Sequence, residues 1–287
     1  MWPLAKNLVS PIRSSYLEFL DLSNFQIFLI IFSIIALIIF ILVNNRSKNI
    51  PTDTEAFNHA LKALVNGDKD KAYNLLRDII SKDSNNIDAY LLLGDIVREK
   101  DVNQAIKIHQ TVVLRPQITK EKKIEAHKAL AKDFLKDKNI TRAESELNNI
   151  LYIDSSNKFA LRELKCIATE NKNWKDALKL EKKLMKIDID HKKNDESMLN
   201  YFIAMDYKSK DNIKNYVYYL EKSAKSENIY PDSALELANH NRSNAELAIS
   251  YYKLYAKHMP SQRTVAYNKI ENILFDSQKY DEVENLY

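Results

Sequence analysis

The apolar positions of this chain follow two regimes. Residues 25–43, FQIFLIIFSIIALIIFILV, form an apolar run without a single charge. Nineteen residues of helix at 1.5 Å per residue reach about 28 Å, close to the ~30 Å hydrocarbon layer of a bilayer. Only Gln26 and Ser33 interrupt the run, so it lacks the polar face of a core helix. The VNNRSK that follows offers no small-x-small cleavage site of a signal peptide. The pattern predicts a retained single-pass transmembrane helix. It divides the chain into a lead (1–24), a transmembrane helix (25–43), a linker (44–52) and the remainder (53–287). Within the lead, LEFLDL (17–22) reads equally well as a short interfacial helix or as unstructured chain. Arg46 and Lys48 follow the run directly, whereas Glu18 and Asp21 lie nearest on the other side and Arg13 further off. Basic residues near the ends of a span set its orientation, which gives a slight preference for the C-terminal bulk on the cytoplasmic side.

Beyond residue 53 the rhythm is longer. Small or apolar residues suited to close packing of a second helix fall at Ala72, Ala105, Ala143, Ala177, Tyr216, Ala248 and Val283, at spacings of 33, 38, 34, 39, 32 and 35. These scatter around the ~34-residue period of the tetratricopeptide repeat. A small residue precedes the marker by eleven or twelve positions at Ala60, Gly94, Ala131 and Ala204. A large residue follows four later at Leu76, Leu147, Leu220 and Tyr252, with His109 as a departure. Cap-rich turns come in phase: DSNN (83–86), RP (115–116), DSSN (154–157) and Pro260. Their Ser, Asp and Asn side chains can accept from the free N–H groups that open the next helix. Lys165 and Glu271 stand at close-contact positions of the more degenerate repeats.

One helix pair cannot bury its own apolar face, but stacked pairs bury each other's. The expected fold is therefore all-α: a single N-terminal transmembrane helix followed by a tetratricopeptide-repeat right-handed superhelical solenoid with a concave groove. About seven degenerate repeats fill 53–287, the last incomplete at KYDEVENLY. The repeat-packing residues are Ala72, Gly94, Ala105, Ala131, Ala143, Ala177 and Ala248.

Composition sharpens this picture. Two Gly and six Pro in 287 residues are too few for the turns of a sheet protein. Asn stands where Gly might in VNGDKD, KDKNI, NKNW and NHNRSN, and is expected to take the left-handed backbone of inter-helix turns. One cysteine, Cys166, excludes an intramolecular disulfide and any CxxC pair. A net charge of +4, spread through mixed-sign helices, leaves no nucleic-acid footprint. The six histidines show no zinc-protease spacing, and G-x-S-x-G, Walker A and GxGxxG are absent. No enzyme, catalytic residue, metal, cofactor or small-molecule substrate is expected. His109 is expected on the packed face of a second helix, Cys166 as a packing residue, and Trp174 as a staple against the preceding helix.

Function then rests on the groove. The first helix of each pair lines it, and Gly94, Ala131 and Lys165 are equivalent. On that alignment Arg98, Lys128, Lys132 and Arg162 point inward from three consecutive repeats. A concave low-dielectric wall focuses their field on an acidic or carboxylate-bearing segment of a client protein. Glu99, Glu125 and Glu170 lie nearby and reduce it.

Four strings carry a family resemblance: LLLGDIVREKDVNQAIKIHQ (91–110), ITKEKKIEAHKALAKDFL (118–135), TRAESELNNIL (141–151) and NWKDALKLEKKL (173–184). They resemble the lipopolysaccharide assembly protein B family, membrane-anchored tetratricopeptide proteins of Gram-negative bacteria. The Ile108-His109-Gln110 string and the longer loop before Ile118-Thr119 are part of that likeness, which covers about 55–287. The resemblance implies an inner-membrane protein with its repeats in the cytoplasm. It implies an adaptor that brings the committed-step lipid A deacetylase to a membrane AAA protease and so limits lipopolysaccharide production. The alternative is a periplasm-facing tether in envelope assembly or secretion. The family also ends in a rubredoxin-like metal domain with two CxxC pairs, to which this sequence has no counterpart. The ending is expected to reflect a fragment, a shortened gene or a lost domain.

Overall fold

The computed structural model describes residues 24–47, 53–188 and 194–284. Among them the regular elements are helices: α1 Asn24–Ser47, α2 Asp53–Val65, α3 Lys69–Lys82, α4 Ile87–Val97, α5 Val102–Val113, α6 Lys120–Lys136, α7 Ile140–Ile153, α8 Lys158–Glu170, α9 Trp174–Ile187, α10 Asn194–Lys208, α11 Ile213–Ala224, α12 Pro231–His240, α13 Ala245–His258, α14 Arg263–Asp276 and α15 Tyr280–Glu284. A short 3-10 turn, Pro260–Gln262, leads into α14. The chain divides into two units, Met1–Leu75 and Leu76–Tyr287, with the boundary inside α3. The expected lead lies outside the described residues apart from Asn24, and the linker is described only as far as Ser47.

In the first unit, α1 is one continuous helix of 24 residues. Its side chains are described over 29–40, about 18 Å of helix, and every one of them is exposed. Among the described residues no helix is long and apolar enough to cross a membrane. After α2 the chain turns through Gly67 at φ +80°, the left-handed region that glycine enters without steric cost. The N–H groups of Gly67 and Asp68 donate to the Leu64 and Ala63 carbonyls at 2.9 Å each. Asp68 then opens α3 by accepting from the Lys71 N–H at 3.0 Å. Ala60 and Ala72 are both fully buried.

In the second unit α4 packs with α5, α6 with α7, α8 with α9, α10 with α11, α12 with α13 and α14 with α15, and each pair stacks on the next. The apolar core is a series of clusters, each drawn from more than one pair. Ile106 of α5, Leu130 and Phe134 of α6 and Ala143 of α7 form one. Ala131, Leu147, Ile150, Ala160 and Ile167 form the next. No pair closes its own core, which is why the unit is an all-α tetratricopeptide solenoid rather than a set of independent hairpins.

The second helices share one opening. Ala105, Ala143, Ala177, Tyr216 and Ala248 each donate a backbone N–H to the residue four earlier, Asp101, Asn139, Asn173, Asn212 and Asn244, at 3.0–3.1 Å. The four alanines are 0% exposed and Tyr216 is 3% exposed. Asp101, Asn139, Asn212 and Asn244 also accept from the third N–H of their helix, which satisfies one of its orphan donors.

This corrects the expectation that Asn supplies the left-handed turns. Among the described residues the left-handed ones are Lys138, Lys172, Asp211 and Gln278, at φ 52–58°, together with Gly67. Each stands five before its register residue: Ala72, Ala143, Ala177, Tyr216 or Val283. Asn139, Asn173 and Asn212 follow one position later, at the helix start. Only a short polar side chain can cap there, whereas the turn itself needs nothing from its side chain.

Candidate functional site

Besides its own pair, α4 packs directly on α6, and side chains link the later first helices: Lys128 and Lys132 of α6 reach Phe159 of α8, and Lys165 of α8 reaches Asp195 of α10. Relative to the close-contact residues Ala131, Lys165 and Ala204, the inner face of these helices carries Lys128 and Lys132 on α6, Arg162 and Cys166 on α8, and Tyr201 and Met205 on α10. Each pair of positions lies four apart, on one side of its helix.

The four predicted cations differ in what they do. Arg98 turns into the seam between α4 and α6, where its side chain is 12% exposed. Its guanidinium pairs with Asp133 through Nε and with Asp95 through Nη2 at 2.5 Å, and also donates to the Ala129 carbonyl at 3.3 Å. Burial pulls the Arg98 pKa down, but the hydrogen bonds and charges of Asp133 and Asp95 outweigh it and hold the group above its ordinary value. Its charge is consumed inside the fold. Arg162 reaches Asp188 at 2.6 Å, beside Lys158 at 3.0 Å. Those two cations, the Lys158 hydrogen bond first, hold the Asp188 carboxyl below the usual range. Lys128 and Lys132 are different. Their Nζ atoms lie 5.7 and 5.8 Å from the centre of the Phe159 ring of α8. Neither is within ion-pair distance of a carboxylate among the described residues. The structure therefore brings Lys128, Lys132 and Arg162 to one face and withdraws Arg98 from it.

Phe159, which sequence reasoning did not single out, is the platform for both lysines. Its signal was its register, six before Lys165 on the same face. Lys165 itself occupies the close-contact position and answers to Glu181, fully buried, at 2.9 Å and to Asp195 at 2.5 Å. Burial lowers the Lys165 pKa, and the Asp195 and Glu181 hydrogen bonds more than restore it. Gly94 and His109 occupy the same two positions two pairs earlier. A Cβ on Gly94 would stand 2.2 Å from His109 Nε2, so the glycine makes room for the ring. His109 is fully buried and uses both nitrogens: Nδ1 meets Asp133 at 2.6 Å and Nε2 meets the Leu91 carbonyl at 3.1 Å.

Cys166, expected as a packing residue, is exposed. With Thr169, Met198 and Leu199 it lines a hollow of about 280 Å³ between α8 and α10, whose lining is completed by the charged side chains of Lys165, Glu170 and Asp195. Burial and the charge of Glu163 push the thiol pKa up, which suits it poorly to nucleophilic work. Trp174 stacks on Phe202 of the following helix α10 at 4.6 Å and packs against the same apolar cluster as Ala168 of the preceding helix α8. Among the described residues no group of three His, Cys, Asp or Glu side chains is placed to hold a metal ion.

No family model matches the chain. Lipopolysaccharide assembly protein B of Escherichia coli K12 is 26% identical over 162 residues, 56% of this chain and 42% of that protein. The Haemophilus influenzae protein of the same name is 33% identical over 135 residues, 43% of this chain and 34% of that one. The chain is similar to lipopolysaccharide assembly protein B. It spans less than half the length of these relatives. Among solved structures, Naa15/Naa10 bound to HypK-THB matches at 12% identity over 82% of this chain and 36% of that one, with a TM-score of 0.51, which is a likeness of fold. A tetratricopeptide repeat protein from Parabacteroides merdae matches at 14% identity over 82% and 98% of the two chains, with a TM-score of 0.46.

Proposed function

We propose that the chain is a membrane-anchored tetratricopeptide adaptor that limits lipopolysaccharide synthesis by presenting the committed-step lipid A deacetylase to a membrane AAA protease. The similarity to lipopolysaccharide assembly protein B in two genera is the observation that carries this reading. The shared inner face supports it, because stacked first helices offer a continuous surface for an extended protein segment. Two buried titratable side chains are engaged in holding the helices together: His109 by Asp133 and the Leu91 carbonyl, and Glu181 by Lys165. The anchor belongs to the same proposal. Support comes from the unbroken helix α1 and from the charge-free stretch 25–43 within it. Arg46 and Lys48 at its C-terminal end favour repeats on the cytoplasmic side of the inner membrane.

The test is the half-life of the deacetylase in cells. The adaptor reading expects a longer half-life when the chain is depleted, restored by the wild type but not by a Lys128→Glu, Arg162→Glu variant. A Lys183→Glu control, on a second helix away from the inner face, restores it. An unchanged half-life on depletion refutes the adaptor role.

A further inference from the structure

The cations of the inner face have been sorted by the fold. Arg98, Arg162 and Lys165 already hold carboxylates, whereas Lys128 and Lys132 form no ion pair among the described residues, Lys128 sensing only the more distant charge of Asp154, and converge on one ring. Two lysines over an aromatic face leave a cationic point with an apolar floor. An acidic side chain can bind the ammonium groups while its neighbours rest on Phe159. The second feature lies along the same side of α8. Cys166 is seven residues from Phe159, about 10 Å along the helix, and lines the hollow with Thr169, Met198 and Leu199. Lys165 and Asp195 of its lining neutralise each other, and Glu170, its remaining charge, repels a second acid, so the hollow suits an uncharged apolar side chain. The axial component of about 10 Å alone takes roughly three residues of extended chain at ~3.3 Å each, which sets the shortest spacing between the two client side chains.

We infer that the inner face across α6, α8 and α10 binds an extended client segment in which an aspartate or glutamate stands three residues from a leucine- or methionine-sized apolar side chain. The acid engages Lys128 and Lys132 above Phe159, and the apolar side chain fills the hollow beside Cys166 and Met198. This rests on the adaptor reading and gives it a recognition rule. The acidic residue supplies steering and register, and the apolar one supplies burial.

Peptide pools test it without a known client. The full chain in detergent is immobilised and offered pools randomised around Asp-x-x-Leu and Leu-x-x-Asp. Control pools carry Asn for the Asp or Ser for the Leu. The expected result is at least tenfold greater retention of one Asp–Leu pool than of either of its controls, declining steeply with salt. In a Lys128→Glu, Lys132→Glu variant the preference for Asp over Asn disappears while the preference for Leu over Ser remains. In Met198→Asp the reverse holds. Circular dichroism checks that the variants are folded, and the comparison among pools on the wild type stands regardless of them. Equal retention of all pools by the wild type overturns the inference, as does an undiminished preference for Asp in the double-lysine variant. Either result beside a deacetylase half-life that still responds to depletion leaves the adaptor reading intact and moves the client to another surface. A half-life indifferent to depletion removes the adaptor reading whatever the pools show.

Discussion

Gly94 and His109 are tied by a clearance of 2.2 Å between a hypothetical methyl and a ring nitrogen. The ring in turn is fixed by Asp133 and Leu91, so it has nowhere to move. Gly94→Ala is expected to cost about 1–3 kcal/mol, the usual penalty for overpacking. In a His109→Ala background the same change is expected to cost much less. A double-mutant cycle on thermal unfolding measures the difference, and equal costs in the two backgrounds contradict the fit. The left-handed residues make an opposite prediction. Lys172 holds φ 55°, a conformation that costs a non-glycine residue about 1–2 kcal/mol. Part of that gain is offset by the extra freedom glycine has in the unfolded chain. Lys172→Gly is expected to stabilise the protein by roughly 0.5–1 kcal/mol, seen as a rise in melting temperature. A fall would show that the Lys172 side chain does more than occupy the turn. These residues were not legible in the sequence. Lys and Gln mark no turn by composition, and although Asp211 does, the adjacent Asn139, Asn173 and Asn212 drew the attention that belongs to the cap.

At the scale of the helix, the marker alanines were legible because close approach of two backbones tolerates little else, and the demand recurs with every pair. Ala143 is fully buried among Ile106, Leu130 and Phe134. Ala143→Leu is expected to lower stability by about 1–3 kcal/mol through overpacking, and an unchanged melting temperature would contradict that placement. Ion pairs between helices were less legible. Lys165 and Glu181 stand 16 residues apart on the two helices of one pair, and Arg98 and Asp133 stand 35 apart on successive pairs, so neither pairing shows until the helices are packed. Arg98 therefore read as a groove cation from its register alone. Glu236 gives this scale a pH dependence. It accepts from Lys208 at 2.5 Å and from the Tyr216 hydroxyl at 2.6 Å, joining α10, α11 and α12. Burial raises its pKa, but the Lys208 and Tyr216 hydrogen bonds prevail and hold it below the ordinary glutamate value. A carboxyl lowered in the folded state contributes stability above its unfolded pKa and loses it as pH falls through the folded one. Wild-type stability is expected to drop on acidification through and below the glutamate range more steeply than that of Glu236→Gln. Parallel pH profiles for the two proteins would deny Glu236 this role.

For the whole molecule, the sequence carried the helical class and the repeat period, because both depend on patterns that many positions share. What the inner face recognises depends on a few side chains and on which of them the fold leaves unpaired. That sorting of Arg98 from Lys128 and Lys132 is a property of stacked pairs and is invisible in register. The anchor makes its own prediction. If 25–43 spans the bilayer, the full chain stays with membranes through a carbonate wash, and release into the soluble fraction contradicts the anchor. The central claim is that the inner face of the first helices is where a client protein sits. Photocrosslinking in living cells tests it most directly, with a photoreactive residue placed at Lys132 on the inner face or at Lys183 on α9. The account predicts a discrete protein adduct, containing the deacetylase, from position 132 and none from 183. Equal labelling from both positions, or an adduct from 183 alone, would contradict it.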